Sequence, residues 1–204
     1  MVNTVIFDIG NVLADFKVWD YLRSYGYDDE TNKRIAENTF ESENWAEEDR
    51  GVLSHDELVS LMSRECPELR DKIDVFLTNL HESVHENEYS AELIDKLKDK
   101  GIKVLVLSNY GLDAYEASKK IFEFLNHVDG GIISCYVKTV KPEPEIYDAI
   151  IDRYNLKPEE ALFFDDRLEN IEAAREKGIN AVCVNNGYES IINGLSMYGI
   201  DLSC

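Results

Sequence analysis

The chain reads as an α/β protein, a Rossmann-like parallel-sheet core carrying an inserted α-helical cap, and three observations predict it. Short apolar runs at 4–8, 103–108, 131–136, 161–165 and 181–184 alternate, from about residue 90 onward, with helical patterns at 91–100, 112–124, 143–154 and 167–178. Such alternation marks βαβ units with helices on both faces of a parallel sheet. The runs are continuously apolar rather than alternating, as strands buried on both faces are. The stretch between the first run and the second is far longer than a crossover helix needs, so it holds an insertion.

In chain order, VIFD is the first strand and ends at Asp8. The stretch that follows is charged and helical. Ser54-His55-Asp56-Glu57 spells a capping box opening ELVSLMSR. Leu69, Ile73, Phe76, Leu77 and Leu80 recur at helical spacing. Residues 15–86 are therefore expected to form the cap, with 1–14 and 87–204 forming the core. Gly26 and Gly51 are the expected turn points within the cap. KVLVLSN is the second strand and ends at Ser108 and Asn109; GIISCYVKTV leads to Lys141; ALFFDD ends at Asp165 and Asp166. Gly101 and Gly178 follow helical patterns that end in lysine, as helix C-termini do.

Composition narrows the function. The 21 Lys and Arg against 41 Asp and Glu give a formal net charge of −20. That field repels phosphate backbones and anionic membranes, which argues against a nucleic-acid or membrane partner. It also means that any anion site needs local cations, a metal or backbone amides. Cys66, Cys135, Cys183 and Cys204 show no paired metal spacing and no disulfide framework, which suits a reducing cytosol. No apolar stretch is long enough to span a bilayer, and there is no basic leader with an apolar signal core. The expectation is a soluble, acidic, cytoplasmic protein, a monomer or weak homodimer.

Ligands of open parallel sheets gather beyond the carboxyl ends of the strands. Four polar clusters are expected there together: a carboxylate at Asp8, a hydroxyl and an amide at Ser108 and Asn109, a cation at Lys141, and the acidic pair Asp165–Asp166. A carboxylate can attack phosphorus and form an acyl phosphate that water then cleaves. A hydroxyl with neighbouring amides cradles phosphate, and a lysine offsets its charge. Adjacent buried carboxylates call for a cation, and Mg²⁺ prefers oxygen ligands.

FDIGNVL at 7–13, LSN at 107–109, KPEPEIY at 141–147 and FFDDRLENIEAA at 163–174 together resemble the haloacid dehalogenase superfamily, in its phosphatase-like branch with a helical cap after the first strand. The resemblance covers essentially the whole chain. It implies Asp8 as nucleophile and Mg²⁺ held by Asp8, the Gly10 carbonyl and Asp166. Asp165 is then a further ligand or its support, Asn170 holds a metal-bound water, and Asn11 is supporting. Ser108, Asn109 and Lys141 hold the phosphoryl group, and Tyr110 is a candidate pocket wall. The form FDIGNVL resembles a bacterial subgroup that includes sugar-1-phosphate phosphatases, so the expected partner is a small phosphorylated metabolite, an anomeric sugar phosphate among the candidates.

One departure stands out. Most phosphatases of this family carry a second Asp two residues after the nucleophile, acting as general acid and base, and here that place is Gly10. General acid–base help is worth about 10²–10⁴-fold. Either the leaving group needs no acid, or a cap residue such as His55, Asp49 or Glu48 supplies the proton, or the protein binds a phosphometabolite without turning it over. A metal-free 2-haloacid dehalogenase also lacks that acid, but it does not keep an acidic pair at 165–166.

Other signals carry less. His81-Glu82-Ser83-Val84-His85 matches the helical zinc-protease spelling without an evident third ligand. Trp19, Tyr21, Tyr25 and Tyr27 are expected in the cap core. Trp45 and His55 are cap positions that could contact substrate. The acidic run around 41–49 reads as a solvated face, and Pro142 is expected to open the first turn of the helix after Lys141.

Overall fold

The computed structural model describes residues 1–202. The chain begins with β1 (Thr4–Phe7), passes a tight loop into β2 (Ala14–Phe16), and then runs through α1 (Val18–Ser24), α2 (Asp29–Asn38), α3 (Trp45–Arg50), α4 (His55–Met62) and α5 (Arg70–Thr78) to β3 (Val84–Glu86). It continues as α6 (Ser90–Asp99), β4 (Lys103–Ser108), α7 (Leu112–Ser118), β5 (Gly130–Ile133), α8 (Ser134–Val137), α9 (Pro144–Tyr154), β6 (Ala161–Asp165), α10 (Leu168–Glu176), β7 (Asn180–Cys183) and α11 (Gly187–Met197).

Five strands form one parallel sheet in the order β5-β4-β1-β6-β7. β1 sits in the middle, with Phe7 opposite Val106 on one side and Phe164 on the other. Successive β1 side chains go to opposite faces, as strand geometry requires. Val5 and Phe7 join a cluster with Leu93, Ile94 and Leu97 of α6 and Ile191 and Leu195 of α11. Ile6 joins Ile146, Tyr147 and Ile150 of α9 and Ile171 and Ala174 of α10. Both faces are covered by helices, which is why the runs are apolar at every position.

A third apolar cluster lies within the inserted helices: Leu22, Ile35, Val59, Met62, Ile73 and Phe76 are its buried centre. Tyr21 is buried there, and Trp19, Tyr25 and Tyr27 are part-buried against it. The insertion leaves and rejoins the core through one short antiparallel pair, β2 with β3, in which Ala14 faces Glu86. The capping box at Ser54 and Glu57 forms with both hydrogen bonds in place, and Gly26 and Gly51 both turn in left-handed conformation.

The structure departs from the sequence expectations in four elements. The strand expected over 131–136 ends at Ile133, because Ser134 turns the chain into α8: its hydroxyl accepts from the Tyr110 N–H and donates to the Asp49 carbonyl. The helix expected over 112–124 stops at Ser118, and Phe122 and Phe124 fold back to stack on each other. The proline in the first turn of α9 is Pro144, with Glu143 as the capping position, while the Lys141–Pro142 peptide is cis. His81 lies in a 3₁₀ turn and His85 in β3, so the zinc spelling, which carried little weight in the sequence, has no helical turn to act on. α11 was not anticipated.

Cys66 and Cys135 are buried free thiols and Cys183 is part-exposed; Cys204 lies outside the described residues. Among the described residues, no helix is long and apolar enough to cross a membrane.

Candidate active site

The carboxyl ends of β1, β4 and β6 open into one cavity of about 140 Å³, with Asp8, Gly10, Ser108, Asn109, Tyr110, Lys141, Asp166 and Asn170 among the lining residues. The centre is ionic. The Lys141 ammonium lies 2.9 Å from Asp8 Oδ1 and 2.6 Å from Asp165 Oδ2, with all three side chains buried. Burial alone would pull the lysine pKa down, but Asp165 and Asp8 more than offset that and hold it above its usual value. Burial pushes Asp8 up to about 7; Lys141 pulls against the rise and Asp165 adds to it.

Each member is fixed by an identifiable bond. Asp8 Oδ1 also accepts from the Ile9 N–H at 2.7 Å, and the Ser108 hydroxyl hydrogen-bonds the same carboxylate. Asp165, fully enclosed, accepts from the Arg167 N–H at 2.8 Å and from Asn170 Nδ2 at 2.9 and 3.1 Å. Asp166 points outward, accepts from Asn11 Nδ2 at 2.8 Å, and is raised mainly by burial. Asn11 adopts a left-handed conformation, which asparagine tolerates, and its Oδ1 accepts from the Phe16 N–H.

Asn109 differs from its expected task. Its amide donates to the Lys141 carbonyl at 2.9 Å and its oxygen accepts the Lys141 N–H at 2.7 Å. The oxygen and one of the two amide hydrogens hold the Lys141 backbone, so the side chain is a clamp, with its second amide hydrogen left over at the cavity it lines. Tyr110 presents its ring to the cavity, its hydroxyl bound to Ser118.

The residues present fit a divalent cation. Oxygens of Asp8, Asp165 and Asp166 lie within 4.8 Å of one another. Three carboxylates against the single Lys141 charge leave a formal excess of two negative charges. Asn170 Oδ1 is buried beside them without a protein partner. A hard, doubly charged ion with oxygen preference suits that donor set.

The inserted segment adds Phe16, Trp45, Glu48, Asp49, Leu80 and Val84 to the cavity wall. Glu41 and Glu43 of the acidic run are exposed, as a solvated face is, whereas Glu48 and Asp49 turn inward. They hydrogen-bond each other, and burial pushes Asp49 up to about 7, opposed by the Glu48 bond, Lys141 and Arg167 and reinforced by Asp8. Burial and then Asp49 lift Glu48 well above the carboxylate range, and the Gly111 N–H, which it accepts, works against this. His55 is on the outer side of the cap, paired with Asp74 at 2.6 Å, and does not line the cavity.

Arg167, Gly111 and the Arg50–Glu143 pair were missing from the sequence reading. Arg50 grips Glu143 with two bonds of 2.9 and 2.7 Å, and this holds the Glu143 carboxyl down at about 2. The one available signal was Gly51, whose helix-ending role defines the short α3 and hence its inward face.

Residues 2–178 match the family model of haloacid dehalogenase-like hydrolases. The chain is similar to a phosphorylated carbohydrates phosphatase of Thermotoga maritima, 29% identical over 189 residues that cover 87% of this chain and 82% of the relative. Its fold is shared with a family enzyme of Bacteroides thetaiotaomicron solved with magnesium and inorganic phosphate (TM-score 0.71, 20% identity, covering 92% of this chain and 96% of the other). It is shared also with an L-2-haloacid dehalogenase of Xanthobacter autotrophicus with chloropropionic acid covalently bound (TM-score 0.68, 17% identity, covering 98% and 84%). A parallel sheet with a lysine-bridged aspartate at the end of its central strand, matched over most of its length by that family, places the chain in the haloacid dehalogenase-like hydrolase family.

Proposed function

We propose that the protein is a Mg²⁺-dependent phosphatase of a small phosphomonoester, a sugar phosphate being the favoured class, working through a phosphorylated Asp8. The observation that carries this reading is the Asp8–Lys141–Asp165 ion group with Asp166 beside it, at the mouth of the central strand. The Thermotoga relative's name supports the substrate class.

Asp8 attacks phosphorus in line, and the bond to the leaving oxygen breaks as the acyl phosphate forms. Lys141, held in place by Asn109 and Asp165, balances the charge that develops on the phosphoryl oxygens. Ser108 orients the Asp8 carboxylate. Asp8, Asp166 and the Gly10 carbonyl would hold Mg²⁺, with Asn170 Oδ1 free to accept from a water beside it. Bound there, the ion supplies positive charge for the phosphoryl oxygens and neutralises Asp8 for attack. Residues 15–86 act as a cap that excludes bulk water and meets the leaving group with Trp45 and Phe16, beside Tyr110 of the core.

The acidic cluster favours phosphate over halide. Displacing halide from carbon needs one nucleophilic carboxylate, whereas Asp166 beside the buried Asp165 costs stability without a cation to neutralise it. The test is phosphate release across a panel of sugar phosphates, with and without Mg²⁺, beside Asp8→Asn. Mg²⁺-dependent release that the variant lacks is expected. Equal release by Asp8→Asn, or halide release in chelator, would sink the reading.

A further inference from the structure

Position 10 cannot move a proton, and the cavity shows where one can come from. Four consecutive cap residues are tied to the core, each by a different bond. Glu48 accepts the Gly111 N–H. The Asp49 carbonyl accepts from Ser134 Oγ at 2.6 Å. Arg50 grips Glu143. The Gly51 carbonyl accepts from Lys138 Nζ. The Asp49 and Gly51 carbonyls and the Glu48 and Arg50 side chains thus hold this helix turn against the core, and the Asp49 side chain lines the cavity that also holds Asp8, Lys141 and Ser108.

The fit at Gly111 is close enough to be informative. A Cβ built there overlaps the Glu48 carboxylate, so this loop position has room for Glu48 only because it has no side chain. Gly10 is the opposite case: a Cβ there meets nothing within 4 Å, and its backbone is not left-handed. The space in which an acid could stand on the core is open, and the acid is on the cap.

On the phosphatase reading given above, we propose that Asp49 is the general acid and base of this enzyme, replacing the acid that position 10 lacks, with Glu48 as the positioning residue that holds it. In the first step, an oxygen of Asp8 bonds to phosphorus, the bond from phosphorus to the leaving oxygen breaks, and the Asp49 carboxyl gives its proton to that oxygen. In the second, water attacks phosphorus and passes a proton to the Asp49 carboxylate. The bond from phosphorus to Asp8 breaks, inorganic phosphate leaves, and both carboxyl groups return to their starting state. The groups facing Asp49 are Glu48 on its own helix, Asp8 and Lys141 from the core, and Arg167 from the loop after β6; Asp113 faces Glu48. Burial among them holds Asp49 near 7, where donor and acceptor forms are both available.

The experiment compares two substrates that differ in need for an acid: p-nitrophenyl phosphate, whose leaving group departs unaided, and a primary sugar phosphate, whose leaving group does not. Asp49→Asn is expected to slow the pre-steady-state release of the sugar about 10²–10⁴-fold while leaving the p-nitrophenolate burst within a few-fold, and to slow steady-state turnover of both, because the base of the second step is lost. Gly10→Asp added to Asp49→Asn is expected to restore much of the loss, since a Cβ at position 10 meets nothing within 4 Å. Glu48→Gln, which keeps both a donor and an acceptor, is expected to stay near wild type. Glu48→Ala is expected to shift the alkaline limb of the pH–rate profile.

Equal losses in the first step with both substrates, or no loss with either, would overturn the assignment of Asp49. So would failure of Gly10→Asp to rescue an Asp49→Asn protein that melts like the wild type. If the wild type releases phosphate from neither substrate and matches Asp8→Asn, the phosphatase reading itself falls, and this assignment with it.

Discussion

Two groups of carboxylates face each other across the cavity, and each solves the same electrostatic problem differently. On the core, Asp8 and Asp165 are brought together around the Lys141 ammonium. On the cap, Glu48 and Asp49 hydrogen-bond each other, and neither side chain bonds a lysine or arginine among the described residues. A counter-ion is a fixed part of the fold and favours the charged form, lowering Asp8 against the rise that burial imposes. A proton between two carboxyl groups can leave and return. The core group is therefore suited to hold charge steady through a reaction, and the cap group is suited to deliver and take up protons.

The largest effect expected from this contrast is at Lys141. Lys141→Met leaves two buried carboxylates facing each other without their cation, which costs about 3–5 kcal/mol. Thermal or urea unfolding should show a loss of that size, together with loss of turnover. A variant as stable as the wild type would mean that the ammonium is not what holds the two aspartates together. Asn109→Ala should rank next. It removes two hydrogen bonds from the Lys141 backbone and leaves an N–H and a carbonyl unpaired, at about 1–3 kcal/mol. Turnover should fall with Lys141 displaced, while Km changes less than kcat.

The same contrast explains what was legible in the sequence. Asp8, Ser108, Asp165 and Asp166 stand at or directly after the ends of β1, β4 and β6, and a buried parallel strand has only one direction in which to send its last residue; Lys141 follows α8, and its backbone is held by Asn109. The register then follows from the sheet. The clamp that Asn109 puts on the Lys141 backbone was not foreseen, because the partner of an amide depends on a loop that pattern does not fix. Glu48 and Asp49 sit in WAEEDR, whose composition suits a solvated helix equally well. Only the tertiary bonds at Gly111, Ser134 and Glu143 turn that short helix inward. The absent acid at Gly10 was visible at once; Asp49 and Glu48 were named with His55 as candidates to replace it, but they lie where periodicity carries no direction, so the sequence could not choose among them.

Gly111→Ala separates packing from chemistry at small cost. The three atoms nearest the added methyl all belong to the flexible end of Glu48, so stability should stay within about 1 kcal/mol of wild type. Pre-steady-state release of the sugar should fall, and the p-nitrophenolate burst should hold. Matching losses on the two substrates would show that Gly111 serves the core and not the cap dyad.

The smallest effect is the one that tells the two kinds of neutralisation apart, and it concerns how tightly α3 stays docked in metal-free protein. Glu143, held down at about 2 by Arg50, stabilises docking at every pH above its unfolded value near 4.5, and that contribution fades as pH falls toward 2. Asp49 is shifted the other way. Its contribution is fully present below its unfolded value near 3.8 and is lost as pH rises through about 7, because the docked state must then keep charged a carboxylate that burial disfavours. Between pH 5 and 8 the first is constant and the second declines. Hydrogen exchange at residues 45–51, corrected for intrinsic rates, should therefore show opening that increases with pH. Asp49→Asn should flatten that dependence. Arg50→Ala should lower protection by about 1 kcal/mol or less, the value of a half-exposed pair, equally across the range and without changing the slope. A slope that survives Asp49→Asn would assign the titration to another group and return the cap dyad to the status of an ordinary polar contact.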